Sequence, residues 1–155
     1  MQFNAEVAGR LGGAKSCQGL LYAPLPAPLN YRSTQYYRFD YEGSQPGLTA
    51  FVRRVLLDEV SQYLALDDRP VYQGEQFCLE IGIKPTVLDL EKQAILAFHQ
   101  HSQSGDFQIL ELSIYKRLYI FGKAGEEASP DPFIRDIVNP AIHVWRVIPD
   151  ARSSA

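Results

Sequence analysis

The chain is short of several things, and each shortage removes a class of function. Of its 155 residues only two are cysteine, Cys17 and Cys78. That is too few for a disulfide framework, and it points to a reducing compartment, the cytoplasm by default. No apolar run approaches the roughly 18–20 residues that a membrane-spanning helix requires. The N-terminus has no basic stretch leading into an apolar one, so no secretion signal is expected. Basic residues are not in surplus, with 15 Lys and Arg against 18 Asp and Glu and a net charge of −3. This disfavours nucleic acid as the main partner without excluding a local basic patch. Histidines number three, and His99 and His101 lie two apart rather than at the four-residue spacing of a helical ligand pair. A solvated helix end, with charge favourable to the dipole, explains that pair better, so no metal or cofactor is expected. The remainder is ordinary globular composition, 46% hydrophobic and 21% charged, enough for one domain or two small modules.

The sequence also repeats itself. Shifted by 82 positions, Tyr37 falls on Tyr119, Phe39 on Phe121, Gly43 on Gly125, Phe51 on Phe133 and Arg53 on Arg135. Upstream, Gln2-Phe3-Asn4-Ala5-Glu6-Val7-Ala8 resembles Gln76-Phe77-Cys78-Leu79-Glu80-Ile81-Gly82 at a shift of 74. Such a duplication suggests two like modules that need each other's apolar faces.

In the second copy, Gln76–Lys84 alternates as a strand, and Asp89 is placed to cap a helix carrying Leu90, Ala94, Ile95 and Phe98 on one stripe. Ser104-Gly105-Asp106 is a turn. Phe107–Ser113 and Leu118–Gly122 are expected as two strands joined through Ile114–Arg117. Asp131 caps a second helix with Pro132 in its first turn, Asn139-Pro140 ends it, and Ala141–Ile148 is the last strand. The first copy supplies strands at Phe3–Ala8, Tyr36–Tyr41 and Val60–Leu66. Its helix carries Leu48, Phe51, Val52, Val55 and Leu56 at i, i+3, i+4, i+7 and i+8. Where its first helix should be stands Gly9–Ser33, rich in Gly and then Pro, with room for one helical turn near Ala14–Leu21. The expected class is α+β, with two ferredoxin-like β-α-β-β-α-β modules packed as a pseudo-dimer, the first lacking a full first helix. The expected boundaries are 1–68 with its insert at 9–33, a linker at 69–75, a complete module at 76–148 and a flexible tail at 149–155.

Lys84-Pro85-Thr86-Val87-Leu88-Asp89-Leu90-Glu91-Lys92-Gln93-Ala94-Ile95 and Asn139-Pro140-Ala141-Ile142-His143-Val144-Trp145 carry a family likeness. In order and spacing they resemble the PurS family, the small subunit of bacterial formylglycinamidine ribonucleotide synthase, over about residues 76–148. Leu90 stands where that family has Pro, Lys92 where it has Gly, and Tyr115-Lys116 keeps only the Lys of a Gly-Lys pair. The resemblance implies a subunit with no catalytic residue and no activity alone. It implies a bridge between glutaminase and synthetase subunits in purine biosynthesis, with self-association compatible. Two copies in one chain look like a single-chain version of that family's dimer.

Local chemistry offers alternatives. Gly9-Arg10-Leu11-Gly12-Gly13-Ala14-Lys15-Ser16 follows a strand and resembles a P-loop, but Ala14 stands where the second glycine belongs. Its amides with Lys15 and Arg10 could still hold an anion. A small enzyme using Lys15, Ser16 or Cys17 is thus one alternative to the assembly subunit. Another is a nucleic-acid-binding or RNA-processing module, in which Arg32, Tyr37 and Arg38 would stack and pair with bases. The same Tyr and Arg residues suit a protein interface. The candidate binding residues are Arg10, Lys15, Ser16, Arg32, Tyr37 and Arg38.

Overall fold

Two long strands form the spine of the fold. In a computed structural model, which describes residues 1–66, 71–102, 106–123 and 128–149, β3 (Asn30–Gly43) and β6 (Phe107–Phe121) run antiparallel from the pair Asn30 and Phe121 to the pair Gly43 and Phe107. At about 3.4 Å per residue each spans roughly 45 Å. On one side of β3 lie β1 (Gln2–Gly9) and then β4 (Gln62–Ala65), and on the far side of β6 lie β5 (Phe77–Ile83) and then β7 (His143–Pro149). The order β4-β1-β3-β6-β5-β7 makes one antiparallel sheet, and the two-residue β2 (Lys15–Ser16) pairs with the start of β3. Three helices complete the chain: α1 (Gln45–Leu56), α2 (Leu90–Ser102) and α3 (Asp131–Ile137).

This overturns the expectation of two ferredoxin-like modules. The hairpin expected between Phe107–Ser113 and Leu118–Gly122 does not exist, because β6 continues through Ile114–Arg117. The expected strand Tyr36–Tyr41 is likewise only the middle of the 14-residue β3. The reason is local: 107–121 contains no Gly or Pro to end a strand, and its one irregularity, the register shift that leaves Leu110 unpaired, falls before the expected joint. The first half therefore contributes β4, β1 and β3 with the short β2, the second β6, β5 and β7, and the halves join edge to edge through β3 and β6. The linker residues Asp67, Asp68 and Pro70, the turn at Ser104-Gly105, the match Gly125 and the tail from 150 lie outside the described residues.

All three helices cover one face, in two clusters. The first joins Phe3, Ala5, Val7, Tyr37 and Phe39 to Leu48, Phe51 and Val52 of α1, Ile95 of α2 and Leu112 of β6. The second joins Phe77, Leu79, Ile81, Leu118 and Ile120 to Phe133 and Val138 at α3 and to Cys17, Leu21 and Leu29. The helix of the second copy thus fills the core of the first, and the Gly/Pro-rich segment fills the core of the second. That segment enters as a short 3-10 turn (Cys17–Leu20), capped by Ser16, whose Oγ accepts from the Gln18 amide. Its place is the one a swapped first helix would take, and its buried Cys17, Leu21 and Leu29 supply the apolar surface such a helix would bring.

The repeat is corrected by one residue in its strands. Ala5 pairs with Tyr37 and its match Leu79 pairs with Leu118, so Tyr37 corresponds to Leu118 and not to Tyr119. A one-residue slip reverses faces. Tyr37 lies with the first helical core, whereas Tyr119 lies on the opposite face. The match of Phe51 to Phe133 stands, both being fully buried under the helices.

Local signals explain the helix starts. Ser44 Oγ accepts from the Gly47 amide at 3.0 Å and Asp89 Oδ1 from the Lys92 amide at 3.1 Å. Gly43 before α1 has φ of +103°, and a Cβ there would strike the Asp106 carbonyl, so glycine is required. For α3 the expected cap fails: Pro130 occupies that position without a side-chain bond, and Asp131 sits inside the first turn. The inward face of α2 also differs from the expected stripe. Leu90 and Phe98 are exposed, while Glu91, Ile95 and His99, spaced by four, face the sheet. Among the described residues no helix is long and apolar enough to cross a membrane.

Candidate functional site

The helix-free face of the sheet carries a buried ionic network. Glu6 of β1 accepts from the hydroxyls of Thr34 on β3 and Tyr119 on β6, and from Arg117 NH1 at 3.1 Å. The same guanidinium donates through Nε to Glu80 on β5 at 2.9 Å, and Arg146 on β7 reaches Glu80 at 3.2 Å. Glu6, Glu80 and Arg117 are all below 10% exposed. Two carboxylates balance two guanidinium groups, so the cluster is neutral and every strand from β1 to β7 in the sheet order contributes. Burial works against the charge on Arg117, but Glu6 and Glu80 outweigh it and hold its pKa above the usual arginine value. Burial and the Glu6 carboxylate likewise push the Tyr119 phenol up, keeping it a donor. Sequence reading missed this network, though it left a signal: Glu6 and Glu80 stand at matched positions of the repeat in otherwise apolar strands.

Beside the network the aromatic residues stack. Arg117 lies 3.7 Å above the Tyr36 ring, and Arg38 reaches over Tyr36 and Tyr115 at 5.8 and 5.7 Å. Tyr72 stands edge-on to Tyr119 at 5.2 Å, with Arg32 over its ring at 5.0 Å. Next to this pair a cleft of about 140 Å³ opens under the glycine-rich loop, lined by Gly12, Gly13, Lys15, Tyr31, Arg32 and Tyr72 among others.

The structure separates the candidate residues. It brings Lys15 and Arg32 into that cleft. Arg38 shares the helix-free face but is already stacked on two tyrosines. Arg10 turns away, its Nε donating to the carbonyls of Glu59 and Gln62 at 3.1 and 2.7 Å, so it ties the loop to the chain before β4. Ser16 serves as the cap described above. Tyr37 is buried on the helix side with its hydroxyl donating to Glu91 at 3.0 Å, and so cannot stack a base. Burial, then the Glu91 charge, raises its pKa.

The P-loop reading also fails on geometry. Lys15 sits in a two-residue strand ahead of a 3-10 turn, with no helix N-terminus to receive phosphates and no parallel strand beside it. Cys17 is buried and desolvation pushes its thiol up to about 11, the opposite of an activated nucleophile. Among the described residues no cluster of His, Cys, Asp and Glu could hold a metal ion.

No family model, curated protein or solved structure matches the chain.

His99 is not the solvated helix end expected from sequence. Its ring stacks on Phe107 with centroids 4.6 Å apart and meets Phe51 edge-on at 5.4 Å. Burial lowers its pKa from the ordinary 6.5. A lowered folded-state pKa means that the unfolded chain binds the proton first, so stability is full above pH 6.5 and declines as pH falls through that value. Urea unfolding at pH 7.5 and pH 5.5 should show this loss, and His99→Phe should flatten it.

Proposed function

We propose that the chain is a non-catalytic assembly subunit of the PurS kind, acting in the cytoplasm and bridging a glutaminase and a synthetase subunit of purine biosynthesis. The observation that carries this reading is the end of the sheet at β7. The two segments that resemble PurS meet there, with the Lys84 amide donating to the Ile142 carbonyl at 2.8 Å. Around that contact the apolar side chains of Ile83, Leu88, Ile142, Val144 and Trp145 are exposed. Among the described residues β7 is an edge strand with one neighbour, β5, and Val144 and Trp145 point to its two faces. An edge of this length bearing Trp145 and an exposed Val144 offers backbone groups and apolar surface together, the combination strand addition uses. Aromatic and Arg residues, here Trp145 and Arg146, are the residue types enriched at protein interfaces.

The two halves of the chain are joined edge to edge through β3 and β6, which leaves β7 at the end of the sheet for a partner.

The test is capture of named partners. A tagged chain should co-purify with the synthetase and glutaminase subunits from its own cells, and Trp145→Glu should lose them while keeping its fold. Failure of the unmutated chain to bring down either subunit overturns the assignment. Retention of both by Trp145→Glu removes β7 as the docking edge.

A further inference from the structure

The cleft under the glycine-rich loop is not used by the assembly reading and does not depend on it. Among the described residues most arginines are engaged: Arg117 and Arg146 with Glu80, Arg135 with Asp136, Arg53 with Glu59 and Arg10 with two carbonyls. Lys15 and Arg32 form no ion pair among those residues, yet both line one cleft on a chain of net charge −3. The Arg32 guanidinium lies over the Tyr72 ring at 5.0 Å, a contact that uses none of its hydrogen-bond donors.

The loop opposite has its own signature. Gly12 has φ of +87°, a conformation that favours glycine. Gly13 has no such need, and a Cβ on either residue would meet nothing within 4 Å. Packing therefore does not explain the second glycine. What a bare Cα provides is close approach of a ligand to the backbone amides, the arrangement that binds anions in many loops. The cleft, at about 140 Å³, is well below the roughly 300–1,000 Å³ of sites that enclose whole organic ligands. It suits a compact anion, with any attached group lying outside along Tyr31 and Tyr72.

We propose that this cleft binds a phosphate group, held by Lys15, Arg32 and the Gly12–Gly13 backbone. The two sources of that chemistry, free phosphate and a phosphomonoester, separate in the test. Inorganic phosphate and ribose 5-phosphate are each titrated into the isotope-labelled full chain at low salt and followed by amide NMR. Saturating shifts are expected at Gly12, Gly13, Lys15 and Arg32. Arg32→Gln and Lys15→Gln should each weaken binding at least tenfold, with unchanged shifts elsewhere showing that the fold is kept, while the distant Lys92→Gln should not. Tighter binding of the sugar phosphate identifies a phosphomonoester ligand, and equal binding identifies phosphate itself. Absence of saturation with both probes, or equal affinity in the Arg32→Gln and unmutated chains, overturns the proposal.

Discussion

Arg117→Met is expected to lower the free energy of unfolding by about 3–5 kcal/mol, the cost of stranding buried carboxylates without their cation. Glu6 would keep only its two hydroxyl partners, and Glu80 only Arg146, which reaches in from an exposed position. A domain of this size has about 5–15 kcal/mol in total, so the variant would sit near the edge of folding. Urea denaturation followed by circular dichroism reads the change. The triple variant Arg117→Met with Glu6→Gln and Glu80→Gln should recover part of it, because removing the three buried charges also removes their desolvation cost and leaves only the exposed Arg146 charged. If Arg117→Met alone costs less than about 1 kcal/mol, the typical worth of one neutral hydrogen bond, the network is not a buried ionic unit.

Phe51→Ala should cost a further-reaching 3–5 kcal/mol, the usual range for emptying an aromatic core position. Phe51 is 1% exposed and belongs to the first copy, but its ring meets Phe98 and His99 of α2 and Phe107 of β6, all from the second. The loss should therefore be felt by both halves. Trp145 is the chain's single tryptophan and lies on β7, at the opposite edge of the sheet from β4. Its fluorescence transition in urea should move to lower denaturant together with the circular dichroism transition, one cooperative step for the whole sheet. A tryptophan transition left at its original midpoint would mean that the halves unfold independently.

Much of the element list could be read from the chain, and the reasons for the failures are specific. Alternation and the Asp89 cap place β1, β5, the end of α1 and the start of α2 within a residue, while α1 begins three residues before Leu48, at Gln45. The topology is hidden at Ile114–Arg117, which has the polar look of a joint between strands although nothing there breaks the period of two. The face of α2 was misjudged because Leu90 and Phe98 outrank Glu91 and His99 in hydrophobicity. The inward face is nonetheless polar at both ends, where Glu91 meets a tyrosine hydroxyl and His99 a phenyl ring. Of the candidate site, Lys15 and Arg32 could be named but not brought together, since their meeting depends on β2 pairing with the start of β3. The network at Glu6 and Glu80 could not be derived from one strand at a time. It needs the sheet order that places β1 and β5 on either side of the central pair.

The sharing of Arg117 has a consequence for how the two halves could ever be parted. The first copy brings a buried carboxylate and no guanidinium of its own to meet it, and at the strand position matching Arg117 it carries Tyr36. Two first halves placed together would confront Glu6 with Glu6 and no counter-charge. Two second halves would set four guanidinium groups, two each of Arg117 and Arg146, against only two Glu80 carboxylates. Only the unlike pairing balances. The two halves are therefore charge-complementary at this centre, each supplying the counter-charge that the other lacks.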